Sequence, residues 1–295
     1  MTIRPGHWIA GAILIAAAFI LIVHLTSNTI EFSRYNGGWN GTSSFFSDLD
    51  RHYTQDIYTP DDLTRQPNNS ILLIIAPFHE PTAQELAAYR TFLNKGNTIF
   101  LADDYGTGNA ILSGIGSNIS SIQPGNLSSL DWQYGDPYTF VVYPSIEQSP
   151  VPLPDDMVLD RAPPLDGGTP LMFTSVMSWN DITGDRRLTE GEVMGTFPVM
   201  ATETLGQGQL IVLSDPSIFI NSMYSAEENE NNRDFIRNLT GRGGPVLIDQ
   251  MNSRTADASG LSELFHLTRS TMCIEIFIIC LMMLCAAWVW KKKMI

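Results

Sequence analysis

SILLIIAPFHEPTAQELAAYRTFLNKGNTIFLADDYGTGNA, residues 70–110, carries the alternation that decides the fold. Residues 70–76 form a continuous apolar run bounded by Asn and Pro, the pattern of a strand covered on both faces. Residues 81–95 then place Leu86, Tyr89, Phe92 and Leu93 on one helical face and stop at Gly96, a residue suited to a helix C-cap. Residues 97–102 read as the next strand, and residues 108–114 as the next helix. Strand, helix, strand, helix is the order of a parallel sheet. The expected class is therefore α/β, a mainly parallel sheet flanked by helices.

Working outward, Gly37-Gly38-Trp39-Asn40-Gly41 is a turn-rich linker, and Thr42 or Ser43 caps a short helix running to Asp50. Residues 117–168 are rich in Ser, Pro, Asp and Gly and read as less regular, with one strand at 139–143. A further strand follows at 171–175. Residues 196–202 and 209–214, joined through Gly206-Gln207-Gly208, form an expected antiparallel hairpin. A helix at 231–239 and a buried strand at 245–249 complete the domain. No internal repeat appears.

Two apolar runs lie near the ends of the chain: residues 8–23, and residues 272–290, broken only by Glu275. Each approaches the roughly 20 residues that cross a bilayer as a helix. Arg4 precedes the first, and Lys291, Lys292 and Lys293 follow the second. Cations beside a span stay on the cytoplasmic side. The expected organisation is a cytoplasmic N-terminus and transmembrane helix at 1–26, an extracytoplasmic domain at 27–252 and a tether at 253–271. A second transmembrane helix at 272–290 and a cytoplasmic Lys-rich tail at 291–295 follow. This puts the protein in the cell membrane, with both termini cytoplasmic, residues 27–271 extracytoplasmic and the lipid bilayer as a partner. The first run is read as an uncleaved anchor rather than a signal peptide, because its apolar core is long and lacks a small-x-small cleavage site.

Of 31 acidic residues only Glu275 lies outside 27–271, and of 17 basic residues four do, which leaves that segment at −17. A surface of that sign repels nucleic acid. All three cysteines, Cys273, Cys280 and Cys285, fall in the second run, so the segment offers no disulfide, thiol nucleophile or Cys metal site. Asn-x-Ser/Thr triplets make Asn40, Asn68, Asn118, Asn126 and Asn238 candidate glycosylation sites.

Two loops carry candidate chemistry. Asp103, Asp104, Thr107 and Asn109 follow the second strand, where ligands bind in open α/β sheets, and Asp215 ends the hairpin strand in the same manner. The Gly106-Thr107-Gly108 turn offers free N–H groups, yet the two carboxylates repel phosphate and no third glycine completes a nucleotide fingerprint. No nucleotide is expected. The bland alternative is that these residues cap turns. The second loop, Asp181 to Glu192, sets Asp181, Thr183, Asp185 and Glu192 at spacings 1, 3, 5 and 12 of an EF-hand-type loop, as bound Ca2+ would need. Arg186 stands where that loop type has glycine, and a solvated acidic turn is the alternative. Ca2+ is the cofactor that this spacing suggests.

FLADDYGTGNAIL, SWNDITGDRRLTEGEVMGTFPVMA and GQGQLIVLSDPSIFINSM resemble the archaeal branch of the family called domain of unknown function 4350. The resemblance implies a flavodoxin-like fold similar to class I glutamine amidotransferases, membrane anchoring, and kinship with auxiliary domains of gliding-type transport systems. Amidotransferase chemistry requires a Cys nucleophile at a strand-to-helix elbow. The corresponding elbow, Asp103-Asp104-Tyr105-Gly106, has none, and no Gly-x-Ser-x-Gly elbow exists, so no catalytic residue is assigned. The expected function is a non-enzymatic, membrane-anchored binding or scaffold domain of an envelope or transport-associated complex, with membrane or envelope protein partners. The alternatives are a metal-dependent hydrolase built on Asp103, Asp104 and Asp215, and an accessory subunit of an ABC-type transport system.

Overall fold

The computed structural model describes residues 28–49, 54–145 and 149–257. In chain order its elements are α1 (Ser43–Asp48), β1 (Thr54–Ile57), α2 (Pro60–Thr64), β2 (Ile71–Ile75), α3 (Ala83–Asn94), β3 (Thr98–Ala102) and α4 (Gly108–Ile115). Then come β4 (Ser120–Ser121), β5 (Asn126–Ser129), β6 (Trp132–Gln133), β7 (Asp136–Pro144), β8 (Met157–Asp160), β9 (Leu165–Asp166), β10 (Thr169–Thr174) and β11 (Ser178–Asp181). The order closes with β12 (Pro198–Leu205), β13 (Gly208–Leu213), α5 (Asn221–Tyr224), α6 (Glu230–Thr240) and β14 (Val246–Asp249).

Ten strands share one sheet, in the order β1-β14-β2-β3-β13-β12-β10-β7-β6 with β8 on the free side of β7. The pairs from β1 through β14, β2 and β3 to β13 are parallel, and those from β13 onward are antiparallel. The sheet is thus mixed, which corrects the expectation of a mainly parallel sheet flanked by helices. Residues 70–110 display only the parallel half. The antiparallel half contains the two longest strands of the sheet, β7 and β12, but β6 and β8 lie in a stretch rich in Ser, Pro, Asp and Gly that gives little periodic signal.

Successive side chains of the parallel strands enter opposite layers, as the twofold strand period requires. Leu72, Ile74, Ile99, Leu101, Leu210 and Val212 pack under α3 and α4 on one face. Leu73, Ile75, Phe100, Ile211 and Leu213 pack on the other face against Phe45 of α1 and Phe235 of α6. Phe100 is fully buried, with its ring 6.2 Å from Phe219 and 5.9 Å from Phe235. Truncating a buried phenylalanine of this kind costs about 3–5 kcal/mol. Helix α3 begins with a reciprocal cap: Glu85 N–H donates to Thr82 Oγ1 at 3.3 Å, and Thr82 N–H donates to Glu85 Oε2 at 2.7 Å.

After β14 the chain turns back onto the N-terminal segment. Ile75 N–H donates to Ser253 Oγ at 3.0 Å, and Arg34 N–H donates to the Thr255 carbonyl at 2.8 Å. Arg34 also holds Asp56 of β1 through two 2.8 Å bonds, a bidentate pair on the sheet edge.

Among the described residues no helix is long and apolar enough to cross a membrane. The expected placement in a cell membrane with two spans and cytoplasmic termini is corrected to that statement. The runs that suggested it, residues 8–23 and 272–290, lie outside the described residues, as do residues 258–271 and 291–295.

Candidate functional site

In the ten-stranded sheet four strands end on or run into aspartate: Asp160 closes β8, Asp249 closes β14, Asp103 follows β3 directly and Asp215 lies two residues beyond β13. Three of these side chains organise the turn that follows their own strand. Asp103, 7% exposed, accepts the Gly106 N–H on Oδ1 at 2.9 Å and the Gly108 N–H on Oδ2 at 2.8 Å. A Cβ on Gly106 would stand 2.1 Å from the Pro77 carbonyl oxygen, and one on Gly108 would stand 2.5 Å from Asp103 Oδ2. The glycines of this loop therefore permit the close approach of carboxylate and backbone, and phosphate binding has no part in that requirement.

Asp215 has no exposed surface. Its Oδ1 accepts the Ser217 N–H at 2.6 Å, and its Oδ2 accepts the Asp160 N–H at 2.7 Å, which ties the end of β13 to β8. Asp249 accepts from the Asn252 and Ser253 N–H groups at 2.8 and 2.9 Å and from the Tyr89 hydroxyl at 2.8 Å. Burial raises all these carboxyls, because low-dielectric surroundings disfavour the charged form. Asp103 is pushed up to about 7 by burial, with the Asp104 charge adding. Asp215 reaches about 8, again first through burial, then through the charges of Asp160 and Asp104. Asp249 is raised by burial, against the hydrogen bonds it accepts.

The other predicted loop residues are tied down as well. Asp104 accepts the Tyr105 N–H at 2.7 Å, and its carbonyl accepts from Gln123 Nε2 at 2.8 Å. Thr107 Oγ1 donates to the His79 carbonyl at 2.9 Å, and Asn109 exchanges two bonds with the Ser121 backbone, at 2.9 and 2.8 Å. The structure brings Asp104 and Asp215 into electrostatic contact through Asp160, while Asp103 turns to its own glycines. A carboxylate such as Asp215, with no accessible surface, cannot touch a substrate.

The second loop is closed by its own backbone. Asp181, 2% exposed, accepts Thr183 Oγ1 and Gly184 N–H on Oδ1 at 3.2 and 2.7 Å, and Tyr138 OH and Arg186 N–H on Oδ2 at 2.8 and 2.7 Å. Burial alone would raise this carboxyl, but the Tyr138, Arg186 and Gly184 donors outweigh it and hold the group below the usual value. Asp185 accepts the Arg187 N–H at 2.9 Å, and Glu192 accepts the Ile182 and Thr189 N–H groups at 3.0 and 2.9 Å. Arg186, at φ 62°, takes the left-handed conformation that glycine usually supplies in such a loop. Among the described residues no group of three His, Cys, Asp or Glu side chains is placed to hold a metal ion.

The candidate glycosylation residues differ in their surroundings. Asn40 accepts from Asn36 Nδ2 at 3.0 Å, Asn118 donates to Glu203 Oε1 at 2.7 Å, and Asn126 accepts from the Tyr105 hydroxyl. Asn68 and Asn238 are exposed. The sequence reading missed Asp160, Asp249 and Tyr89. A signal existed: Met157-Val158-Leu159-Asp160 and Val246-Leu247-Ile248-Asp249 repeat the apolar-run-then-Asp pattern of residues 100–103 and 212–215.

A second feature stands apart from the strand ends. Leu130, Trp132, Tyr143, Met177, Val193 and Met194 are all exposed, Val193 to 75%. Backbone bonds gather them: Leu130 N–H donates to the Met177 carbonyl at 3.0 Å, and Gly195 N–H donates to the Ser178 carbonyl at 2.8 Å. Tyr143 is held to the segment between Leu130 and Trp132 by its hydroxyl, which donates to Asp131 Oδ2 at 2.7 Å.

Together these features define a mixed α/β domain whose strand-end carboxylates hold its own turns and whose outer strands expose apolar side chains. The chain belongs to the family described as domain of unknown function (DUF4350), whose model matches residues 34–240. No curated protein matches the sequence. Among solved structures, the mmIFT52 N-terminal domain is similar at 15% identity and TM-score 0.46, covering 68% of this chain and 87% of that one. The cytoplasmic protein STM1381 from Salmonella typhimurium LT2 gives 13% identity and TM-score 0.38, over 64% and 76% of the two chains. A β-galactosidase from Bacillus circulans sp. alkalophilus gives 12% identity and TM-score 0.35, over 60% of this chain and 23% of that one. Likenesses at these scores carry no argument about function.

Proposed function

We propose that this chain is a non-enzymatic binding or scaffold domain acting within an envelope or transport-associated complex. The observation that supports this most is the exposed apolar group around Leu130, Trp132, Met177 and Val193. Several exposed apolar side chains carried on segments that backbone bonds join are a common mark of an interaction surface. The strand-end carboxylates lend support from the other direction, since their oxygens are already engaged by backbone N–H groups. The archaeal affiliation within the family rests on the three motifs quoted above and belongs to the same proposal. No specific geometric feature favours the hydrolase reading on Asp103, Asp104 and Asp215 or the ABC-type accessory reading.

The test compares the full-length chain with its Val193→Asp and Trp132→Ser variants, expressed in the native host, by the native size of the assembly that each enters. The proposal expects wild type in a larger assembly and both variants released from it with unchanged melting temperature. Wild type and variants migrating at one common size would overturn it.

A further inference from the structure

The acidic charge of this chain is unevenly spread. Residues 117–205, which supply every strand from β4 to β12, hold twelve acidic residues against three bases, whereas the rest of the chain holds 19 against 14. Two of the three bases are already committed. Arg161 and Arg186 stand over the Tyr138 ring at 5.8 and 5.0 Å, and Arg186 also lies 3.4 Å from Asp136. Tyr138 bonds Asp181, at the end of the β5–β11 ribbon where Asp181 pairs with Asn126. The third base, Arg187, belongs to the loop between Asp181 and Glu192. Leu130 and Met177 of the exposed apolar group lie at the other end of that ribbon, beside the Ser129–Ser178 pair.

The charges set within the apolar group are acidic. Asp131 stands between Leu130 and Trp132, and its Oδ2 takes the Tyr143 hydroxyl at 2.7 Å, while its Oδ1 accepts nothing among the described residues. That bond, then burial, then the charges of Asp131 and Asp156 push the Tyr143 hydroxyl up to about 12. Trp132 and Tyr143 are 46% and 40% exposed. Among the described residues no guanidinium covers either ring, as Arg254 covers Phe78 and Arg34 covers Phe46.

An apolar group in acidic surroundings selects its partner by sign. A second copy would bring the same charges to a twofold interface, where like charges oppose each other. An anionic lipid surface is disfavoured for the same reason. A basic partner gains twice, because a guanidinium pairs with a carboxylate and also lies favourably over Trp and Tyr rings. We infer that the surface this group meets is a cationic, amphipathic segment of another protein, with its basic side chains set against Asp131 and the rings of Trp132 and Tyr143. The inference names the partner chemistry of the binding function proposed above and rests on that reading.

The test follows the share of full-length chain found in the larger assembly in the native host, for wild type and four variants. Asp131→Lys reverses the charge inside the group, whereas Asp61→Lys makes the same change at an exposed position of α2. Tyr143→Phe removes the hydroxyl bond to Asp131 but keeps the ring, and Val193→Asp disrupts the apolar contact. Asp131→Lys is expected to lower the assembled share at least tenfold, as Val193→Asp does, with Asp61→Lys and Tyr143→Phe within twofold of wild type. The assembly is expected to contain a second protein whose contacting segment is rich in Arg or Lys. Release by Val193→Asp but not by Asp131→Lys would overturn this inference and leave the binding proposal standing. So would equal release by Asp131→Lys and Asp61→Lys, or an assembly made only of copies of this chain. Wild type migrating alone would overturn both.

Discussion

The backbone N–H of Asp160 donates to Oδ2 of Asp215 at 2.7 Å, across 55 positions of sequence. A strand-end carboxylate thereby adds a tie between the end of β13, the last strand of the parallel half, and β8, beyond the β12–β13 ladder that already joins the two halves. The same oxygens that a metal or substrate would need are engaged by the backbone N–H groups of Asp160 and Ser217.

Removing that joint has a defined cost. Asp215→Ala leaves the Asp160 and Ser217 N–H groups without acceptors in a site with no exposed surface. An orphaned buried donor costs about 1–3 kcal/mol, so urea unfolding should show a loss of roughly 2–4 kcal/mol. Asp215→Asn keeps one acceptor and should fall between Asp215→Ala and wild type.

The glycine loop yields a ranking. Gly106→Ala forces a methyl to within 2.1 Å of the Pro77 carbonyl oxygen, and backbone cannot step aside as a side chain can. Gly116, at φ 84°, meets nothing within 4 Å, so Gly116→Ala pays only for a left-handed backbone, about 1 kcal/mol. Gly106→Ala should lower the melting temperature by more than Gly116→Ala does, and equal losses would refute the close-packed reading of this loop.

Stability should decline with rising pH. Asp103 and Asp215 move from 3.8 to about 7 and about 8 on folding, so between these values the folded chain binds more protons than the unfolded one. Their contribution is complete below the unfolded value and is lost as pH rises through the folded ones. The urea midpoint should therefore fall from pH 5 to pH 8, with a shallower fall in Asp215→Asn. Asp181 acts in the opposite direction: its lowered carboxyl contributes stability above 3.8 and loses it in acid.

The loop from Asp181 to Glu192 should ignore calcium. Both Asp181 oxygens and both Glu192 oxygens already accept protein donors. Adding millimolar CaCl2 or chelator should leave the melting temperature unchanged within about 1 °C, the shift that a ligand well below its Kd produces. A larger rise, absent in Glu192→Gln, would restore the cation site.

Much of the parallel half was legible in the sequence. Its strands are unbroken apolar runs, and Ile71–Ile75, Thr98–Ala102 and Val246–Asp249 fall where such runs stand, while the Gly206-Gln207 turn announces the β12–β13 hairpin. The antiparallel half was legible only in part: the strands expected at 139–143, 171–175 and 196–202 stand in β7, β10 and β12, whereas β6, β8 and the separate β5–β11 ribbon gave no signal. Ser128 pairs with Trp179 across 51 positions in a two-stranded ribbon whose sequence lacks any sustained alternation. The site was half legible for a related reason. An apolar run ending in Asp marks each carboxylate, but the partner that engages it, such as Asp160 N–H for Asp215, is fixed only by the folded sheet.

The measurement that bears most directly on the central claim is unfolding of wild type, Asp103→Ala and Asp215→Ala, each with and without MnCl2 or CaCl2. If the strand-end carboxylates are architectural, both variants lose roughly 2–4 kcal/mol and neither metal stabilises wild type. Variants as stable as wild type, or a metal-dependent gain in wild type that Asp215→Ala removes, would contradict the account and return these carboxylates to chemistry.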